Sequence, residues 1–130
     1  MIYLENNAFF WQKIDALMVS LDYVHKREIN DEHPEYPNLV YPVKYGYLVD
    51  PDTDIKQKRI GVFSGSLSHS RVDAIVVCAD ILVKELDVKL LSGCNEDEVL
   101  KILEFLNQTA FQKTILVRRN EDVPAWTNIE

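Results

Sequence analysis

Val72-Asp73-Ala74-Ile75-Val76-Val77-Cys78-Ala79 is a nearly unbroken apolar run rich in β-branched residues. Its length and composition predict the central strand of a sheet. Downstream, residues 83–91 give another strand or two. Asn95 with Glu98 forms a capping box ahead of Val99, Ile102, Leu103 and Leu106, which predicts a helix. Residues 114–117 read as a last strand, and 118–130 as a polar tail whose only large anchor is Trp126.

Upstream of the central run, Ser64-Gly65-Ser66-Leu67-Ser68-His69-Ser70 reads as a loop, and residues 59–63 as a short strand. A polar turn covers 50–58, preceded by an extended stretch, 39–49, dense in Tyr and Val. Pro42 inside that stretch predicts an edge strand or a bend. Residues 30–38, broken by Pro34 and Pro37, read as a loop that follows a strand over 22–29. The chain opens on a helix whose packing face is Phe10, Ile14, Leu17, Met18 and Leu21, capped by Asn6 or Asn7.

Strands here do not alternate with helices, which disfavours a parallel doubly wound sheet. The order predicts an α+β fold: a small, mostly antiparallel β-barrel or strongly curved sheet with N-terminal and C-terminal helices packed outside. At 130 residues the chain suits one domain, 1–130, with the tail from about 120 peripheral.

Composition narrows the function. Fourteen Lys and Arg against twenty-one Asp and Glu leave a net charge of −7, which argues against a general nucleic-acid binder. An anionic substrate stays open, because a divalent cation can neutralise both partners. No apolar run is long enough to span a bilayer, and residues 1–21 lack the basic start of a signal peptide. Cys78 and Cys94 lie in or beside apolar runs and read as free buried thiols. Together these point to a cytoplasmic protein without membrane partners. The edge at Pro42 and the Trp126 tail are compatible with a homo-oligomer.

There is no glycine-rich phosphate loop among four glycines, and no zinc-finger spacing. Ser66, Ser68, Ser70, His69 and Asp73 can be drawn as a triad, but serines beside a histidine in a polar loop arise readily by chance. His25 and His33 read as structural histidines. Two segments carry more. In Tyr41-Pro42-Val43-Lys44-Tyr45-Gly46-Tyr47, strand periodicity puts Tyr41, Tyr45 and Tyr47 on one side, as an aromatic core ladder or as phenols facing a polar ligand. In Asp80-x6-Asp87-x-Lys89, a carboxylate and an ammonium share a strand face, suited either to a cation with a phosphate oxygen or to a solvated hairpin.

Together with His33-Pro34-x-Tyr36-Pro37-Asn38-Leu39-Val40 before it, the tyrosine segment resembles the soluble, Mg²⁺-dependent inorganic pyrophosphatases, in particular their short bacterial relatives. Asp80…Asp87-x-Lys89, Leu91-Ser92-Gly93-Cys94 and Arg118-Arg119 add to a likeness running from about 22 to 119. The resemblance implies an OB-like, five-stranded barrel that hydrolyses pyrophosphate to phosphate. It implies Tyr41, Tyr45, Lys89 and Arg27 as phosphate-binding residues, and Asp54, Asp80 and Asp87 as Mg²⁺ ligands.

The family's Asp-rich loop has no full counterpart here. Lys56 and Lys58 fall where its first two acids belong, and Gly61 where its last belongs. Close cations oppose Mg²⁺ by about 4 kcal/mol per pair at intermediate dielectric. Two functions follow. One is an active inorganic diphosphatase with a reduced metal set, Asp80 and Asp87 with Asp52 or Asp54. The other is a catalytically silent member of that fold, binding phosphate or another anion without metal, or binding a protein partner.

Overall fold

In the computed structural model, the chain is described over residues 6–36, 38–52 and 59–119. Eight elements follow in order: α1 (Ala8–Ser20), β1 (Asp22–Arg27), β2 (Lys44–Val49), β3 (Ile60–Ser64), β4 (Val72–Asp80), β5 (Glu85–Ser92), α2 (Glu96–Leu106) and β6 (Gln112–Arg118). The six strands form one mixed sheet in the order β1-β2-β3-β5-β4-β6. Every pairing is antiparallel except β3 with β5. The fold is therefore α+β. The sheet is open, ending at β1 and β6, and is not closed into the expected barrel.

β4 is an interior strand, paired with β5 on one side and β6 on the other, but β3 and β5 hold the middle of the sheet where the apolar run predicts β4. The unbroken apolar run has a direct cause: both sheet faces are covered. Phe63, Val76 and Leu91 pack with Val99, Ile102, Phe105 and Leu106 of α2, while their neighbours Val62, Ile75 and Leu90 pack with Trp11 and Ile14 of α1. Adjacent residues fall in different clusters because side chains alternate across a strand, so the two helices lie on opposite faces. A register shift between Val72 and Ala74 turns Val72 onto the α1 face, out of step with Ala74.

Asn7 caps α1, its side chain accepting from the N–H groups of Phe9 and Phe10. The packing face is rotated from the one the periodicity singles out. Trp11 is fully buried, whereas Phe10 and Leu17 are about two-fifths exposed, at 42% and 39%. Trp11, Ile14, Met18 and Leu21 form the inward stripe. Trp11 also donates its indole N–H to Asn6, which satisfies its one polar atom inside the core.

The capping box of α2 is present in full, with Asn95 and Glu98 each accepting the other's backbone N–H. Glu98 also accepts from Ser66 N–H at 3.0 Å, fastening the serine-rich loop to the helix start. Pro42 lies in the bend that leads into β2. Cys78 and Cys94 are free and buried. No described helix is long and apolar enough to cross a membrane. The tail with Trp126, and Lys56 and Lys58 before β3, lie outside the described residues.

Candidate functional site

The segment between β1 and β2 folds back on itself. Asn30 N–H donates to the Tyr41 carbonyl, Tyr41 N–H to Asp31, His33 N–H to Leu39, and Leu39 N–H to Tyr36. This ladder holds His33, Tyr36 and Tyr41 over the α2 side of the sheet. From there a run of ring contacts leads inward. His33 stacks on Tyr41 at 6.0 Å with planes 3° apart, Tyr41 meets Tyr45 at 5.4 Å, and Tyr45 meets Phe63 at 4.8 Å. Outward, His33 touches Tyr36 at 5.2 Å, and Tyr36 touches Phe111 at 5.9 Å.

These rings wall a pocket of about 300 Å³ between the His33–Tyr41 segment, α2 and the β4–β5 turn. Leu82 and Val83 close it on the turn side, with Lys89 on its wall. The tyrosine segment thus serves as core and as pocket lining together. Tyr41 is 7% exposed and packs on Phe105 at 4.8 Å. Tyr47 projects from the same face of β2 but is engaged elsewhere. Its hydroxyl accepts from Arg59 at 3.1 Å, and its ring lies under the Arg59 and Lys26 cations.

Among the described residues, Lys89 is the only lysine or arginine lining the pocket. Its side chain is 18% exposed. The ammonium donates to Asp87 Oδ2 at 3.0 Å and to the Tyr45 hydroxyl at 3.3 Å. Asp87 and Lys89 share a face of β5 as the period of two requires. Burial alone would depress the ammonium's pKa, but Tyr45 and Asp87 more than offset it and raise it, so Lys89 is charged at any physiological pH. Because the Tyr45 oxygen accepts from Lys89, its own O–H proton is left to donate. Two polarised donors therefore converge on one wall, the third N–H of Lys89 and the Tyr45 hydroxyl. That arrangement suits an anionic oxygen.

Burial shifts the neighbouring groups toward neutrality. It lowers the pKa of His33 and raises that of Tyr41 and of the Cys78 thiol, each chiefly by desolvation. Cys94, on the same face of the core, is pushed up to about 12 by burial and is not a reactive thiolate. His33 Nδ1 accepts from Glu35 N–H at 3.1 Å, so the neutral ring carries its proton on Nε2. Arg27 ends β1 and donates to the Lys26 carbonyl, while its charge bears on both His33 and Tyr41.

The three carboxylates singled out as Mg²⁺ ligands stand differently. Asp54 lies outside the described residues. Asp80 Oδ1 accepts from Leu82 N–H and Val83 N–H at 2.9 and 3.1 Å, which shapes the β4–β5 turn. Asp87 spends Oδ1 on Val88 N–H and Oδ2 on Lys89. Mg²⁺ demands near-octahedral oxygen ligands, and an ammonium 3.0 Å from a carboxylate already occupies that carboxylate's cation position. The described residues do not fit such an ion, and among them no three of His, Cys, Asp and Glu gather in a group that could hold a metal.

The serine-rich loop has its own fastening. His69 Nε2 lies 3.0 Å from Asp73 Oδ1, and the other Asp73 oxygen accepts from Cys94 N–H. Asp73 thereby ties the loop to the entry of α2. The pocket residues that sequence spacing does not single out include Phe105, Phe111, Leu82 and Val83. Leu82 and Val83 lie on the β4–β5 turn, Phe105 near the end of α2 and Phe111 just before β6, and no local pattern links them to the tyrosine segment.

Comparison of the chain with protein-family models, with curated proteins and with solved structures finds no match in any of the three.

Proposed function

We propose that this protein binds a phosphate-bearing small molecule without a metal ion, through Lys89 and Tyr45. One observation carries the reading: a charged, largely buried lysine held between Asp87 and Tyr45 on the wall of a pocket of about 300 Å³. An ammonium desolvated this far gives an incoming oxyanion a stronger contact than a surface lysine does. Tyr45 contributes a second donor aimed by the first, and the Arg27 charge adds to the positive potential near Tyr41.

The likeness to the Mg²⁺-dependent pyrophosphatases enters on the same footing. The tyrosine segment and Lys89 support it, and on that reading the open sheet stands where the family closes an OB-like barrel. The Asp87–Lys89 pair favours binding over metal-assisted hydrolysis, because the carboxylate that would hold the metal is engaged by the lysine.

The test pairs equilibrium binding of inorganic phosphate, with and without Mg²⁺, with a phosphate-release assay on pyrophosphate. Saturable binding in a chelating buffer, with no release above background, is the expected result. Mg²⁺-dependent release that disappears in Asp87→Ala would instead establish a diphosphatase and overturn the metal-free reading.

A further inference from the structure

The pocket is larger and far more aromatic than an inorganic anion requires. At roughly 30 Å³ per water, a space of about 300 Å³ holds on the order of ten waters. A phosphate ion resting on Lys89 and Tyr45 would leave much of that space, and the rings around it, facing water. Building apolar walls only to leave them wet is unfavourable, and small-molecule sites pair a few polar anchors with apolar lining for that reason.

The mouth repeats the pattern. The β4–β5 turn is tied beside Phe111, whose carbonyl accepts from Ile81 N–H at 2.9 Å. That turn carries Ile81, Leu82 and Val83, which are 73%, 62% and 56% exposed, where polar residues are the usual turn formers. Leu82 and Val83 face the pocket. Tyr36 and Phe111 line the pocket as well, their ring centroids 5.9 Å apart and the rings tilted 42° to each other. Aromatic rings and aliphatic side chains therefore border one slot there.

The charges point the same way. Glu35 and Asp80 also line the pocket, so among the described residues its formal charges are two negative against the one positive of Lys89. A bare polyanion gains little from such a lining. A ligand that places one phosphate at Lys89 and uses its remaining surface for apolar contact gains from both.

Resting on the phosphate reading above, we infer that the ligand is an organic phosphate monoester bearing a flat ring. The phosphate takes Lys89 and Tyr45, and the ring takes the slot between Tyr36, Phe111 and Leu82. Neutral His33, with its Nε2 proton, lies on the wall between the two ends.

The experiment compares three probes at pH 7.5 in a chelating buffer: inorganic phosphate, glycerol 3-phosphate and phenyl phosphate. Phenyl phosphate is expected to bind three- to tenfold more tightly than either of the others, the gain that ring contacts bring. Phe111→Ala and Leu82→Ser are expected to bring the three affinities together. Leu82 lies on an exposed turn, so its variant tests the slot without threatening the core. Equal affinities for the three probes in the wild-type protein would overturn the ring assignment while leaving the phosphate site standing. Phenyl phosphate binding that survives Lys89→Met would overturn the phosphate reading itself.

Discussion

Tyr45 lays its phenol across Gly61. A Cβ built at Gly61 would meet the Tyr45 hydroxyl well inside contact distance, and this is the hydroxyl that accepts from Lys89. Gly61 lies opposite Lys89 in the parallel β3–β5 pair and opposite Tyr47 in β2. The missing side chain therefore leaves room for a tyrosine from the neighbouring strand to reach the lysine. Any side chain larger than hydrogen at this position, an aspartate included, would displace Tyr45.

Gly61→Ala is accordingly expected to push the Tyr45 hydroxyl away from Lys89. Tyr45 is wedged between Phe63 and Tyr41, so the strain costs about 1–3 kcal/mol of stability. Phosphate affinity should fall together with it. Urea unfolding and a phosphate titration on the same variant check both. An unchanged phosphate affinity would show that Tyr45 is not part of the site.

Stability should depend on pH through His33. Burial holds its pKa below the ordinary value near 6.5, so between the two values the unfolded chain binds more protons than the folded one. Stability therefore rises with pH through that window and is lost as pH falls below about 6.5. Tyr41 acts at the other end. Its raised pKa means the unfolded phenol ionises first, so stability declines as pH rises past about 10. Melting curves from pH 5 to 7 should show a smaller slope for His33→Gln than for the wild type. Identical slopes would remove His33 as the cause.

Asp15 and Arg119 join α1 to the end of β6 in a two-pronged pair, at 2.9 and 2.8 Å. Arg119 also donates to the Val72 carbonyl and lies over the Trp11 ring. The Arg119 hydrogen bond holds the Asp15 carboxyl below its usual range, so this contribution is present above pH 4 and lost as pH falls through the lowered value. Asp15 is 44% exposed, which limits the pair to about 1 kcal/mol. Asp15→Asn should lose roughly that amount at pH 7 and less at pH 2. Denaturant midpoints at the two pH values measure it.

Glu98 does more than cap a helix. It accepts from both Asn95 N–H and Ser66 N–H, whereas the Asn95 side chain accepts from Glu98 N–H alone. Asn95→Ala is expected to cost about 1 kcal/mol, an ordinary capping loss. Glu98→Ala should cost more and speed amide exchange at Ser66. Equal losses, with Ser66 exchange unaltered, would mean that the loop is held by other contacts.

The parts of the fold that local chemistry decides were legible in the sequence. The run at 72–79 is apolar because both faces of β4 are covered, and the Asn95–Glu98 box marks a helix start wherever it occurs. The pairing of Asp87 with Lys89 followed from the period of two. What depends on distant partners was not legible. Phe10 and Trp11 are neighbours on α1, and only the sheet beneath decides that Trp11 turns inward. Barrel closure would need β1 to meet β6, strands at opposite ends of the chain with no shared local signal. The pocket likewise draws Phe111 and Leu82 to a tyrosine segment far from both in sequence.

Whether Lys89 anchors a phosphate is decided by an NMR titration of backbone amides with inorganic phosphate in a chelating buffer. Saturable shifts confined to residues around Tyr45 and Lys89 are expected in the wild-type protein. They should be absent in a Lys89→Met variant that still unfolds cooperatively. Shifts that persist unchanged in the variant, or no saturable shifts in either protein, would show that Lys89 anchors no phosphate.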